Sequence, residues 1–270
     1  MFTGLVETIG VVRRIGGSGE RTARAQIVAS LGALELGESI NVDGVCLTVD
    51  RILPDGFEAD LSSETLAVST LATLTPGARV HLERAVPLGG RMGGHTVLGH
   101  VDGVGEVRRA QPIGAAVCLT VSAPGELARY FAPKGSIAIS GVSLTLNRVG
   151  MPRGAQGARS RASAKRGRAA DVELEVMLVP HTLARTILGT FTAGSKVNIE
   201  VDVLARYVAR QLESGVASLG SSRDSPATRN ARGGAPIVEP HGDGGRGEVD
   251  ESRSGHDERI LAKLRASGYT

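Results

Sequence analysis

The chain has 270 residues, 41% hydrophobic but only 3% aromatic and without Trp, so a folded core must come from Val, Ile, Leu and Ala. The formal charge of +3 is small for this length and argues for neither nucleic acid nor an anionic membrane as partner. Two cysteines, Cys46 and Cys118, are too few for a disulfide framework and give no metal-ligand spacing, so a reducing, cytoplasmic setting is expected. The opening Met1-Phe2-Thr3-Gly4-Leu5-Val6-Glu7 has no basic cluster and no long apolar run, so neither a signal peptide nor a membrane span is expected.

In chain order, Ser39-Ile40-Asn41-Val42-Asp43 alternates polar and apolar residues, the period of a half-buried strand. Pro54-Asp55-Gly56 and Thr75-Pro76-Gly77 read as turns. Between them a short helix is expected over Ser63–Leu71, with Ser62 or Ser63 as N-cap and Glu64 in its first turn. The Gly-rich stretch 89–95 is flanked by no strand-to-helix unit, so it reads as a link and not as a phosphate loop. His95 and His100 would point to opposite faces of an extended chain, which weakens a metal reading. Val172–Val176 and Val197–Val201 alternate like the first strand, with a second short helix expected over Thr182–Leu188.

Residues 151–170 are polar, carry only positive charge and read as a disordered loop insertion, a solvated hairpin extension before a nucleic-acid contact. Over 203–213, Leu204, Tyr207, Val208 and Leu212 form one helical stripe, suited either to packing on the chain's own body or to copies of itself. Residues 214–270 read as a flexible tail, with a short helical pattern over Ile260–Leu264.

The chain repeats itself. Gly4–Gly10 reappears as Gly99–Gly105, Ser39–Val49 as Ser136–Leu146, and Pro76–Glu83 as Ala193–Glu200. The expected organisation is two homologous all-β halves, 1–95 and 96–202, each a small closed barrel whose closure removes exposed edges. Matched positions that differ in chemistry are Cys46 against Ser143, His100 against Leu5, and Asp202 against Ala85. Each has a structural alternative: Cys46 as a small buried hydrophobe, His100 as a hydrogen-bonded imidazole, Asp202 as a helix cap.

The opening heptapeptide, Asn41–Val49, Gly94-His95 with Gly99-His100-Val101, Gly141–Thr145 and Val197–Asp202 together resemble the riboflavin synthase α-chain family over about residues 1–212. The resemblance implies two six-stranded Greek-key barrels in tandem, each binding one 6,7-dimethyl-8-ribityllumazine, and a C-terminal helix that associates three chains. It implies a working site between the N-barrel of one chain and the C-barrel of its neighbour. There, the resemblance implies, a four-carbon unit passes between two lumazines with no metal or organic cofactor, giving riboflavin and 5-amino-6-ribitylaminouracil.

Carried over by position, Cys46, Leu47 and Thr48 line the N-barrel site with Gly4, Leu5 and Val6 and with Asp60, Leu61, Ser62, Ser63, Glu64 and Thr65. Gly99, His100, Val101, Lys134, Ser143, Leu144 and Thr145 line the C-barrel site with Leu178, Val179, Pro180, His181 and Thr182. Cys46 and His100 are the acid–base candidates, Ser39 and Asp202 resemble residues supplied across the subunit contact, and Phe2 is expected to shield the reacting rings. The chain departs from the family pattern at His181, where Glu is expected, and at Ser140, where Asp is usual. Expected partners are the lumazine, two further copies of the chain and lumazine synthase. A non-catalytic lumazine- or flavin-binding protein of the same fold is the alternative function, and an assembly protein recruiting partners through the insertion and tail is a second.

Overall fold

The computed structural model describes residues 1–19, 22–150 and 170–221. The expected insertion, but for its last residue, and the tail from 222 onward, including the pattern at 260–264, lie outside the described residues. The first half forms β1 (Thr8–Gly19), β2 (Thr22–Val28), β3 (Ser39–Val42), β4 (Val45–Thr48), β5 (Arg51–Leu53), β6 (Gly56–Leu61) and β7 (Arg79–Arg84). The second forms β8 (Gly103–Ile113), β9 (Ala116–Ala123), β10 (Ser136–Ile139), β11 (Val142–Gly150), β12 (Val172–Leu178) and β13 (Lys196–Val201).

Alternation drives these strands inward on one face. Along β12, Val172, Leu174, Val176 and Leu178 are buried while Glu173, Glu175 and Met177 are half-exposed. The second half closes as an antiparallel barrel in the order β10-β11-β12-β9-β8-β13. Neither β9 and β10 nor β12 and β13 are neighbours, so the chain crosses the barrel in Greek-key fashion. The first half differs from the expected six strands: its sheet runs β4-β3-β7-β1-β2-β6-β5. Its two edges, β4 and β5, are successive pieces of one strand interrupted at Val49 and Asp50. Main-chain bonds continue through the break, Val49 N–H to Glu38 O and Asp50 N–H to Glu58 O, both 2.9 Å. At the equivalent place β11 shows only a register shift between Leu146 and Arg148 and stays one strand.

The halves meet through reciprocal contacts between equivalent residues. Phe2 N–H donates to Val97 O at 2.7 Å and Val97 N–H returns to Phe2 O at 3.1 Å. Gly44 (φ +91°) and Gly141 (φ +78°) lie back to back; a Cβ on either would sit 2.9 or 2.7 Å from the other's nitrogen. His81 Nδ1 lies 2.9 Å from Ser140 O and its Nε2 accepts from Ile187 N–H at 2.9 Å. Its equivalent, Asn198, donates to Asp43 O at 2.8 Å and accepts from Thr70 N–H at 2.7 Å. The departure at Ser140 is explained here. Asp43 accepts His81 N–H at 2.8 Å, and Ser140 Oγ takes the matching Asn198 N–H at 3.3 Å. Ser140 is buried in this seam and lines no ligand cavity found among the described residues.

Both short helices end earlier than expected. α1 spans Ser63–Val68 and α2 Pro180–Arg185, each followed by a short 3-10 turn. Ser62 is the N-cap of α1. Termination is by hydroxyl groups: Ser69 Oγ donates to Thr65 O and accepts Leu71 N–H, and Thr186 Oγ1 does the same between Thr182 O and Leu188 N–H. The third helix, α3, runs Val203–Ser221, past the expected end at Glu213 into a stretch expected to be tail. Asp202 caps it by accepting Leu204 N–H at 2.9 Å. Arg206–Asp102 and Arg129–Glu213 ion pairs tie one face of α3 to the second half. Leu204, Tyr207, Val208 and Leu212 turn away, 59% to 67% exposed.

Candidate ligand sites

Each half has a cavity between its hairpin and its short helix. In the first half, a cavity of about 250 Å³ is bounded by Cys46 on β4, Glu64, Thr65 and Val68 on α1, and His100 with Val101. In the second, about 470 Å³ is bounded by Ser143 on β11, His181, Thr182 and Arg185 on α2, and Leu5 with Val6. The structure thus exchanges two of the expected segments. Gly4-Leu5-Val6 lies in the second half's site, and Gly99-His100-Val101 in the first half's. Ser143 N–H donates to Gly4 O at 2.8 Å, and Cys46 N–H to Gly99 O at 2.9 Å. The physical reason is the Phe2–Val97 bridge, which crosses the two lead segments so that each passes the other half's hairpin before entering its own first strand.

Several further expectations change. Phe2 is fully buried, packed with Val97, Ala138 and Cys46 in the seam, and lines no cavity described here; an apolar ring between two sheets packs into the core. Leu47, Leu61, Leu144 and Leu178 point into the barrel cores. Asp60 pairs with Arg24 on the outside of β6. Lys134 is exposed at a left-handed turn (φ +70°), the position Gly37 (φ +85°) holds in the first half. Ser39 faces Thr48 across the β3–β4 pair, away from both cavities. Thr48 and Thr145, next to their core-facing leucines, are exposed, as are Ser63 and, at the head of α2, Val179 and Pro180.

His95 joins the second site although sequence reasoning gave it no part. Its Nδ1 lies 2.7 Å from Ser143 Oγ, and its buried Nε2 has no hydrogen-bond partner among the described residues. Burial lowers its pKa below the ordinary imidazole value, partly opposed by the charge of Asp202. The repeat could not flag it, because its equivalent position would precede Met1. The two sites also differ in charge: Glu64 on α1 is matched by His181 on α2, and Val68 by Arg185.

Two buried acids support the exchanged segments. Glu83 on β7 accepts from Thr3 N–H and Oγ1–H, both 2.6 Å, and from Gly4 N–H at 2.9 Å. Glu200 on β13 accepts from Leu98 N–H at 2.7 Å and Gly99 N–H at 3.0 Å. Burial raises the Glu200 pKa to about 7 against these bonds, and the charge of Asp102 adds to the rise. Between the ordinary 4.5 and about 7 the folded chain therefore holds a proton that the unfolded chain has released. Stability is expected to fall as pH rises through that window, by at most about 3 kcal/mol from this residue. Urea unfolding of Glu200→Gln should show a flatter pH dependence than the parent; identical slopes would refute the assignment.

A closed antiparallel barrel in tandem with an equivalent half-barrel sheet, with a cavity at the equivalent place in each, defines a class of repeat ligand-binding protein. Within it, the sequence profile of the lumazine binding domain matches residues 3–85 and again 98–202. The riboflavin synthase of Mycobacterium tuberculosis is 42% identical over 218 residues, covering 79% of this chain and 99% of that one. The riboflavin synthases of Photobacterium leiognathi and Bacillus subtilis are 37% and 36% identical, covering 79% and 78% of this chain and 89% and 90% of theirs. The crystal structure of LumP complexed with riboflavin has the same fold, with a TM-score of 0.62 at 24% identity over 74% of this chain and 99% of that one. The chain belongs to the riboflavin synthase family.

Proposed function

We propose that this chain catalyses the last step of riboflavin biosynthesis, transferring a four-carbon unit between two molecules of 6,7-dimethyl-8-ribityllumazine to give riboflavin and 5-amino-6-ribitylaminouracil. The observation that carries the reading is the pair of equivalent cavities with unlike chemistry, Cys46 and His100 in one, Ser143 and His181 in the other, with His95 paired to Ser143 from outside the cavity lining. Hydroxyl and backbone groups on α1 and α2, with the Glu64 carboxylate on α1, suit the pyrimidinedione edge and ribityl chain of a lumazine. The lumazine brings its own reactive methyl and ring carbons, so the protein's work is orientation and proton transfer. Cys46 and His100 are the acid–base groups, exchanging protons with a lumazine in the first cavity. Incubating the purified chain with the lumazine alone should yield riboflavin. Binding without turnover would support the non-catalytic alternative, and no binding would refute both.

The working form is a homotrimer in the cytoplasm, with donor and acceptor lumazines brought face to face from neighbouring chains. Support comes from the apolar stripe of α3, exposed while the opposite face is tied down by the Arg206–Asp102 and Arg129–Glu213 pairs. No helix among the described residues is long and apolar enough to cross a membrane. Ser39 and Asp202 lie outside both cavities and act across the contact between chains. Replacing Leu204 and Leu212 together by Asp is expected to give monomers in light scattering with at least about a tenfold loss of turnover. A fully active monomer would sink the shared-site reading. Lumazine synthase, which supplies the substrate, is the macromolecular partner we propose, checked by co-sedimentation of the two purified proteins.

A further inference from the structure

The exchanged segments are each held from both sides. On one side a backbone bond and a close approach fix them to a hairpin. Gly99 (φ +78°) lies so near Cys46 that a Cβ would stand 2.6 Å from the cysteine Cβ, and Gly4 (φ +74°) stands in the same relation to Ser143. On the other side stands a buried carboxylate. Glu200, 3% exposed, takes the N–H groups of Leu98 and Gly99, and Glu83, 6% exposed, those of Thr3 and Gly4. Neither acid forms an ion pair among the described residues; the bonds each makes go to a lead segment.

A buried carboxylate is costly to keep, and an apolar residue would fill the seam at less expense in desolvation. Carboxylate acceptors hold N–H donors more strongly than neutral ones, and a forked acceptor fixes two successive amides at once. That places the backbone at 3–4 and 98–99, and with it the side chains that follow: Leu5 and Val6 in one cavity, His100 and Val101 in the other.

We propose that Glu83 and Glu200 are positioning residues whose action is crossed: Glu200, on the second half, builds the ligand site around Cys46, and Glu83, on the first half, builds the site around Ser143. The proposal rests on reading both cavities as lumazine-type sites. Neither acid touches the ligand; each acts through a main-chain segment it holds from behind. The two sites of one chain are thereby wired to opposite barrels, and a disturbance of β13 is felt in the first half.

The test is hydrogen–deuterium exchange on the full chain, with riboflavin as the probe. Protection of residues 62–69 reports filling of the first cavity, and protection of 180–186 the second. Glu200→Gln should raise the riboflavin concentration needed to protect 62–69 about tenfold and leave that for 180–186 within about twofold; Glu83→Gln should do the reverse. Without ligand, exchange should rise at 98–100 in the first variant and at 3–5 in the second. Equal weakening of both sites, or weakening on the variant's own half, overturns the proposal. If a Gln variant does not fold, Thr3→Val, which deletes the hydroxyl that donates to Glu83 and accepts Leu5 N–H at 3.2 Å, should weaken the 180–186 response alone, by about threefold. A parent protein showing no riboflavin protection would remove the lumazine reading by itself. The ligand-free exchange would still decide the clamps, and unchanged exchange at both segments would refute them.

Discussion

Cys46→Ser is expected to lower single-turnover riboflavin formation by about a hundredfold or more, while lumazine binding changes less than about threefold. The substitution keeps nearly the same size and leaves the Cys46 N–H bond to Gly99 O in place, so the cavity keeps its shape. What it removes is the softer, more nucleophilic sulfur, half-buried beside His100 in the first half's cavity. An effect confined to turnover identifies an interaction felt mainly in the transition state. Ser143→Cys is the control in the equivalent strand. Its cost should be small, about that of weakening one hydrogen bond, because Ser143 Oγ already pairs with His95 Nδ1 at 2.7 Å. Stopped-flow formation of riboflavin with parallel fluorescence titration makes the comparison. Equal losses in the two variants, or unaltered turnover in Cys46→Ser, would leave Cys46 as a packing residue in the seam with Phe2.

Phe2→Ala is expected to destabilise the chain by about 3–5 kcal/mol, the range for emptying a fully buried aromatic site. The ring is wholly buried with Val97 and Ala138 and borders Cys46, so the loss opens a void between the two halves. Phe2→Leu keeps most of the volume and should cost less than about 1.5 kcal/mol. It should also retain turnover within a few-fold. Thermal unfolding and steady-state rates on the two variants separate a core role from a cover over the reacting rings. A Phe2→Leu variant of normal stability whose turnover collapsed would restore the role first expected of this residue.

Much of the architecture was legible in the sequence because the responsible forces are local. Period-two alternation at Val172–Val176 and Val197–Val201 signals strand, and both segments are strands; only the first is half-buried, because Asn198 and Glu200 on the second turn into the seam between the halves and are buried as well. Ser62 and Glu64 announced α1 through capping and the helix dipole. The repeat itself showed that the chain has two equivalent halves, since three blocks recur in one order. Where the helices stop was missed, because it depends on hydroxyls turning back on Thr65 O and Thr182 O in place of continuing the turn.

The tertiary structure decided how the halves share their parts. Two homologous halves offer nearly identical surfaces, so a pattern that places Gly4 beside a Gly-Val-Cys/Ser hairpin cannot say which copy of the hairpin it meets. Crossing at Phe2 and Val97 settles that choice through two reciprocal main-chain bonds, which no side-chain pattern records. The same crossing buries Phe2, brings His95 to Ser143 and leaves Glu83 and Glu200 facing backbone instead of solvent. Sequence periodicity reports which face of an element is apolar. Only the packed chain determines which neighbour covers that face, because that depends on contacts between residues some eighty to a hundred positions apart, such as Thr3 with Glu83 and Leu98 with Glu200.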